Sequence, residues 1–497
     1  MLVAVMGPSL KAAPPANNSL RLQKAVTGAG IKGHLEALQK IAIANDGQRA
    51  SGFDGYDQSV TYVANKLRNA GYLVNVQEFP FDAFTVNAPA ELEQTAPNQV
   101  TYQEGEDFAY MSYSGSGNPT ADVTNVDLVL PPGPDPSTSS SGCEPEDFDD
   151  FPAGDIALMQ RGTCDFGLKA VNAADAGASG AIIFNEGQEG RTDLLFGTLG
   201  DFRPGIPTFG MTFELGDTLA KIQNLRLHMS ADTTIKPGTT FNVLAQTREG
   251  DPNNVVMAGG HLDSVQEGPG INDNGSGSMS ILEIALQWAK LDLVPENRLR
   301  FAFWGAEEAS LVGSNFYVNN LAENFPRRLE KIALYLNLDM VASPNFARFI
   351  YDGDGSAFGL EGPAGSDQIE ADFERFWDRN GHAHEPTAFD GRSDYLAFIL
   401  NGIAAGGLFS GAEGVKTAEQ EQAYGGIAGM AYDPCYHQAC DTYFNINDKA
   451  LNQFSNNAAN MIAKYAKRLP DGVREEATSA RASVERKADH RGDETVR

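Results

Sequence analysis

Residues 255–263 read Val-Val-Met-Ala-Gly-Gly-His-Leu-Asp, an apolar run that ends in an imidazole and a carboxylate. Such a run is typical of a strand buried inside a parallel sheet. Open α/β sheets bind their ligands at the carboxyl ends of the strands, where His261 and Asp263 stand. The segment therefore predicts an α/β fold with a functional site at this edge. Alone it is weak evidence, because many loop histidines are ordinary surface or core residues.

Two later strands are predicted to end in the same way. The apolar segment 298–304 is followed by Glu307 and Glu308, and the segment 332–338 is followed by Asp339. Adjacent side chains point in different directions, so one glutamate can bind a metal while the other faces the substrate as a base. A glutamate pair at a helix start also complements the helix dipole. The metal interpretation gains weight because three predicted strands end alike.

Two loops add further candidate ligands. The glycine-rich segment 268–278 carries Asp273 just before a predicted helix, where a carboxylate is favoured electrostatically even without a metal. Near the C-terminus, Tyr436 and His437 lie between Cys435 and Cys440. These cysteines are candidates for a disulfide or for metal ligation, but their spacing lacks the second CxxC of a structural zinc site.

Composition excludes several classes of protein. The 37 Lys and Arg residues against 66 Asp and Glu give a formal net charge of −29, which repels nucleic acids and anionic lipids. No apolar stretch is long enough for a membrane span. Four cysteines fall into two close couples, Cys143 with Cys164 and Cys435 with Cys440, which predicts two local disulfides and an oxidising compartment. Four buried thiols in a cytosolic enzyme are the alternative.

Changes in composition divide the chain into segments. Strand and helix patterns alternate over 236–468 and resume those of 19–90, so these two segments are predicted to form one domain. Residues 91–235, with short strands among loops rich in Pro, Gly and Ser, are predicted to be an inserted domain. Residues 1–18 are predicted to be a leader or a disordered segment. The charged residues 469–497 are predicted to be a disordered tail.

Taken together, the motifs resemble the M28 metallopeptidase family of di-zinc aminopeptidases. The resemblance rests on His261-Leu-Asp263, Asp273 in its glycine loop, Glu307-Glu308, Asp339 and His437, with support from Gly391-Arg-Ser-Asp394 and the segment 405–411. It implies a mixed, mostly parallel sheet flanked by helices in an α/β/α fold. The insert resembles a mainly-β protease-associated (PA) domain, on the Cys143–Cys164 couple and the segment 177–184.

The resemblance also implies the roles of individual residues. His261 and Asp339 would bind one zinc ion, Glu308 and His437 a second, and Asp273 would bridge the two. Nitrogen and oxygen ligands of this kind suit zinc, and three per ion leave positions open for water and substrate. Asp263 would orient His261 from outside the metal shell.

The implied reaction is removal of an N-terminal residue from peptides that carry a free amino group. A zinc-bound hydroxide would attack the carbonyl, with Glu307 as general base and the Tyr436 hydroxyl stabilising the oxyanion. Arg392 is expected near the substrate amine. Met340 and Phe409 are expected to form a pocket that prefers apolar N-terminal residues, although apolar residues at strand ends are often ordinary core.

Two other functions are compatible with this pattern. An M28-type carboxypeptidase or dipeptidase shares the metal ligands but recognises a substrate carboxylate. A catalytically dead, peptidase-like binding protein usually loses ligand residues, and all five are present here together with Glu307. The expected location is extracellular or periplasmic, and the sequence does not indicate an oligomeric state.

Overall fold

The computed structural model describes residues 18–135, 137–188, 191–200 and 202–473. Most of the predicted leader and tail therefore lies outside the described residues, at 1–17 and 474–497. Within the described ranges, no helix is both long enough and apolar enough to cross a membrane.

A mixed, mostly parallel sheet forms the centre of the catalytic part. Its strands Ala404–Phe409, Ile332–Leu338, Asp251–His261 and Asn297–Trp304 run parallel to one another in that spatial order. Beyond Ala404–Phe409, the short strands Phe349–Tyr351 and Glu385–Thr387 complete one edge. Antiparallel strands continue the sheet on the other side. The predicted α/β fold with a mostly parallel sheet is confirmed.

Helices cover both faces of this sheet. Successive strand residues point to opposite faces, and the strands carry apolar residues toward both, so both faces must be buried. One face packs against Asn18–Ala25, Gly28–Ala44, Asp54–Asn69, Gly277–Lys290, Ser366–Arg379 and Asp448–Lys467. The opposite face packs against Val312–Asn324, Pro326–Leu329 and Leu396–Leu400. The remaining helical segments lie in loops: Ile271–Ser276, Ala418–Tyr424 and Tyr443–Asn445.

The inserted part contains a second group of strands. Thr120–Asn125, Ile156–Gln160, Gly180–Phe184 and Thr208–Met211 run parallel, and Phe108–Ser112 joins them antiparallel. The shorter elements are Val100–Thr101, Pro145–Phe148, Gly197–Thr198 and Phe213–Leu219. Helix Phe166–Asp175 connects two of the parallel strands, as the strand–helix–strand pattern predicts. A disulfide joins Cys143 to Cys164.

Two long strands connect the insert to the catalytic part. Leu73–Ala96 and Arg226–Gln246 pair antiparallel from Leu73 opposite Gln246 to Ala96 opposite Arg226. The expected domain boundaries at 90/91 and 235/236 both lie inside this two-stranded ribbon. The chain therefore leaves and re-enters the catalytic part on paired strands, which brings the insert next to the end of the sheet that carries the site.

Candidate metal centre

Three adjacent strands deliver candidate ligands to one edge of the sheet. His261 is the last residue of strand Asp251–His261, and Asp339 follows its neighbour Ile332–Leu338. Glu307 and Glu308 follow Asn297–Trp304 on the other side. The apolar strand residues are buried, so the polar residues begin where each strand leaves the core. All four side chains line one cavity.

Asp273 lies between the two histidines. One carboxylate oxygen, Oδ1, is 3.2 Å from Nε2 of His261, and the other, Oδ2, is 3.2 Å from Nε2 of His437. Its loop begins at Gly270, whose positive φ of 58° lies in the left-handed region that favours glycine. The two oxygens of one carboxylate thus face two separate groups of candidate ligands, as expected for a bridging residue.

The two groups have similar spacing. Nε2 of His261 lies 3.3 Å from Oδ1 of Asp339, and Nε2 of His437 lies 3.2 Å from Oε2 of Glu308. Glu307 is slightly farther away, with Oε2 3.7 Å from Nε2 of His261. Every one of the sequence-predicted ligands is therefore brought to a single centre.

The donor set fits zinc. Ligand atoms that lie 2.0–2.1 Å from a tetrahedral zinc ion are about 3.3 Å from one another, close to the spacing found here. In addition, Oδ1 of Asp339 is buried and accepts no hydrogen bond from the described residues, which is costly unless a cation satisfies it. His261, Glu307 and Asp339 also lie close enough together to hold one ion. By its position, Glu307 can therefore serve either as a metal ligand or as a base.

The carboxylates control the protonation of both imidazoles. Burial disfavours the charged form of His261, yet Glu307 and Asp339 raise its pKa well above the usual value of 6.5. In His437, burial is likewise outweighed by Glu308 and Asp273, and the pKa rises to about 10. A divalent cation between these groups would take the place of those protons.

Further contacts hold the ligands in orientation. The Asp263 side chain lies 3.6 Å from Nδ1 of His261, on the side away from the other ligands. The hydroxyl of Ser393 donates a 2.6 Å hydrogen bond to Oδ2 of Asp339 and accepts one from Asn337. Contacts of this kind fix the direction in which a ligand presents its donor atom.

His437 is held by a cross-linked loop. The disulfide Cys435–Cys440 closes this loop, and the ring of Tyr436 stacks on the His437 imidazole at a centroid distance of 3.8 Å. Burial raises the pKa of Tyr436 well above 10, so its hydroxyl stays protonated as a donor. Both cysteine couples thus form the predicted disulfides, and no described cysteine is free.

A small cavity of about 60 Å³ opens beside the centre. Met340 and Phe409 line it, as the sequence predicts, and Tyr351 adds an aromatic wall. Arg392 also lines the cavity; it forms a 2.7 Å ion pair with Glu413 and lies 3.4 Å from the Tyr436 hydroxyl. The predicted pocket residues are therefore all adjacent to the candidate ligands.

Sequence reasoning missed two residues that brace the ligand loops. The buried Arg49 guanidinium donates hydrogen bonds to the carbonyls of Leu262, Pro269 and Gly270, and so joins the loop after His261 to the loop before Asp273. Asp441 accepts hydrogen bonds from the backbone N–H groups of Asn272 and Asp273. Arg49 carries no local motif, whereas Asp441 directly follows the Cys435–Cys440 loop.

Comparison with known proteins gives consistent results over most of the chain. The model for Peptidase family M28 matches residues 242–462, and the PA domain model matches residues 123–219. An aminopeptidase of Pseudomonas aeruginosa strain UCBPP-PA14 is 52% identical over 434 residues, which are 87% of this chain and 80% of that protein. Leucine aminopeptidase 2 of Trichophyton rubrum is 42% identical over 90% of this chain and 86% of its own length.

Solved structures support the same fold. An aminopeptidase from Aneurinibacillus sp. strain AM-1 has a TM-score of 0.69 at 24% identity, and the match covers 92% of this chain and 97% of that one. A zinc aminopeptidase from Bacillus subtilis has a TM-score of 0.63 at 22% identity, with 90% and 97% covered.

Proposed function

This chain belongs to peptidase family M28 and carries a PA domain, and from that premise we propose that it is a zinc aminopeptidase. The family predicted from the sequence is thereby confirmed. The observation that carries the proposal is the position of Asp273, whose two oxygens each lie 3.2 Å from a different histidine. The names of the relatives, aminopeptidase and leucine aminopeptidase 2, support the same reaction.

We assign two zinc ions to this centre. His261 and Asp339 would hold one ion, Glu308 and His437 would hold the other, and Asp273, with one oxygen near each histidine, would serve both. Their five side chains carry a formal charge of −3 with both imidazoles neutral, against +4 for two zinc ions. Zinc bound there would polarise a carbonyl group and lower the pKa of a water molecule towards neutrality.

The protein supplies the proton transfers. Glu307 takes a proton from the attacking water and delivers it to the nitrogen of the leaving group. The Tyr436 hydroxyl donates a hydrogen bond to the oxygen on which negative charge develops. Arg392, 3.4 Å from that hydroxyl, holds it in position and favours negative charge nearby.

The substrate is a peptide with a free N-terminus. Its amino group is cationic and is attracted to Glu307 and Asp339, whereas the small cavity beside them takes the first side chain. Met340 and Phe409 make this cavity apolar, which favours residues such as leucine. Acidic N-terminal residues are disfavoured because their charge would lose its hydration against Met340 and Phe409.

A panel of aminoacyl-p-nitroanilides tests the proposal. We expect hydrolysis of the leucine derivative, loss of activity with a chelator and recovery with added zinc. N-acetylation of a peptide should abolish cleavage, whereas amidation of its C-terminus should not. The reverse pattern would identify a carboxypeptidase or dipeptidase, and bound zinc without any cleavage would identify a binding protein.

The proposed location is extracellular or periplasmic. The disulfides Cys143–Cys164 and Cys435–Cys440 are stable in oxidising compartments, which supports this location. Retention of both disulfides in protein isolated from the culture medium or periplasm, measured by thiol titration, tests it.

A further inference from the structure

A second cavity, of about 360 Å³, adjoins the metal centre. Asp263 and Glu308 line it on the side of the centre, and Glu308 also lines the small cavity that takes the first side chain. We call this second cavity the inter-domain groove. The residues that also line it include Phe81, Phe84, Val86, Tyr113, Gln266 and Glu267.

Five segments of the chain line the groove, and three of them are joined to one another. The ribbon strand Leu73–Ala96 supplies Phe84, the insert supplies Tyr113, and the loop after His261 supplies Gln266. The rings of Phe84 and Tyr113 lie 5.5 Å apart, and the Gln266 amide donates a 2.6 Å hydrogen bond to the Phe84 carbonyl. Tyr113 of the insert is thus linked through Phe84 to the loop that follows His261.

The groove adjoins the small cavity at Glu308, next to the residue assigned as general base, Glu307. When the first side chain occupies the small cavity, the remainder of the peptide must extend away from it. Glu307 delivers its proton to the nitrogen of the second residue, and the next two residues along the chain, Glu308 and Ala309, line the groove. A second residue bonded to that nitrogen is therefore adjacent to the groove.

The lining also indicates which side chains fit. Phe81, Phe84 and Tyr113 form an apolar surface, and the volume is sufficient for an aromatic side chain. The exposed rim carries Glu267, and no Lys or Arg occurs among the described lining residues. Apolar surface favours large apolar side chains, and the exposed Glu267 carboxylate disfavours acidic ones.

Resting on the aminopeptidase function proposed above, we propose that the inter-domain groove binds the side chain of the second substrate residue. It prefers a large apolar residue there and discriminates against an acidic one. The PA domain therefore contributes directly to substrate selection through Tyr113.

The first test compares leucyl-phenylalanine amide with leucyl-glycine amide, which share the first residue. We expect the wild type to have the higher kcat/KM on the phenylalanine substrate by about tenfold. Val86 lines the groove and is 41% exposed, so a larger side chain there can fill the groove without disturbing the core. Val86→Trp should therefore abolish this preference. Val129→Trp, at a 39% exposed valine of the insert outside the groove, should retain it.

A second test uses charge and does not depend on core packing. Glu267→Lys should raise the kcat/KM ratio of leucyl-glutamate amide to leucyl-lysine amide by about threefold or more. The same charge change at the exposed Glu106, away from the groove, is the matched control and should leave the ratio unchanged.

Hydrolysis of leucine amide, which has no second residue, separates this inference from the function on which it rests. If leucine amide is not cleaved by the wild type, the proposed function is wrong. If leucine amide is cleaved but Val86→Trp and Glu267→Lys leave both ratios unchanged, the groove assignment is wrong. It is also wrong if Leu400→Trp, in a separate cavity that adjoins Arg392, abolishes the phenylalanine preference and Val86→Trp does not.

Discussion

Replacement of Glu307 by glutamine tests whether two adjacent acids have different roles, Glu307 as the general base and Glu308 as a zinc ligand. Glu307 is 3% exposed, and its carboxylate lies 3.7 Å from Nε2 of His261, beyond the 3.2–3.3 Å spacing of the assigned ligands. Glu307→Gln keeps the size of the side chain and removes its basicity. We therefore expect both zinc ions to remain bound while proton transfer is lost.

The size of the effect follows from that role. A positioned general base contributes about 10²–10⁴-fold to kcat, which corresponds to roughly 3–5 kcal/mol of transition-state stabilisation. Turnover of leucyl-p-nitroanilide should fall by at least about 10²-fold. The assay pairs this kcat with the zinc content of the same dialysed sample, measured by plasma mass spectrometry.

Glu308→Gln provides the matched control. Glu308 lies 3.2 Å from Nε2 of His437, so this change should remove zinc from the His437 side of the centre and lower activity through metal loss. Excess zinc should partly restore the activity of Glu308→Gln and should not change the activity of Glu307→Gln. Near-normal turnover of Glu307→Gln would refute the assignment of the base, and loss of zinc from it would make Glu307 a ligand.

Four further predictions concern the residues around the proposed ligands and the two disulfides. Arg49→Met leaves three buried carbonyls without their hydrogen-bond donor, at about 1–3 kcal/mol each. The free energy of unfolding, measured by chemical denaturation, should therefore fall by about 3 kcal/mol or more, and calorimetry should show weaker zinc binding. The control variant Arg327→Met, at an exposed position, should show neither effect. Because the metal-free pKa values of His261 and His437 are raised, zinc binding at pH 7 should release about two protons per chain, measured by calorimetry in two buffers. Protonation of these histidines favours the folded state, so the metal-free protein should also lose thermal stability as pH rises from 6.5 through about 10. A melting temperature that does not change over this pH range would contradict the raised histidine pKa values. Replacing Cys435 and Cys440 by serine should cost roughly 2 kcal/mol and lower zinc occupancy, whereas the same change at Cys143 and Cys164 should leave zinc bound.

Much of the proposed centre could be predicted from the sequence because three of its five proposed ligands, His261, Glu308 and Asp339, follow buried strands. An apolar run such as 255–260 indicates both a central strand and the point at which it ends. His261 and Asp339 follow directly from this rule. His437 does not, since its loop has no strand before it, and its assignment came from the family resemblance.

Other features depend on contacts between distant segments. Arg49 reaches carbonyls more than 200 residues away, and its own neighbourhood in the sequence gives no sign of that role. The inter-domain groove likewise requires the ribbon to place Phe84 and Tyr113 against the loop that holds Gln266. The predicted boundaries of the insert fell inside the ribbon because composition changes along a strand without ending it.

Anomalous diffraction at the zinc absorption edge, from crystals of the zinc-loaded protein, tests the central claim most directly. We expect two peaks about 3.5–4 Å apart, one beside His261 and Asp339 and one beside Glu308 and His437, with one Asp273 oxygen directed at each. A single peak, or two peaks that do not share Asp273, would contradict the account.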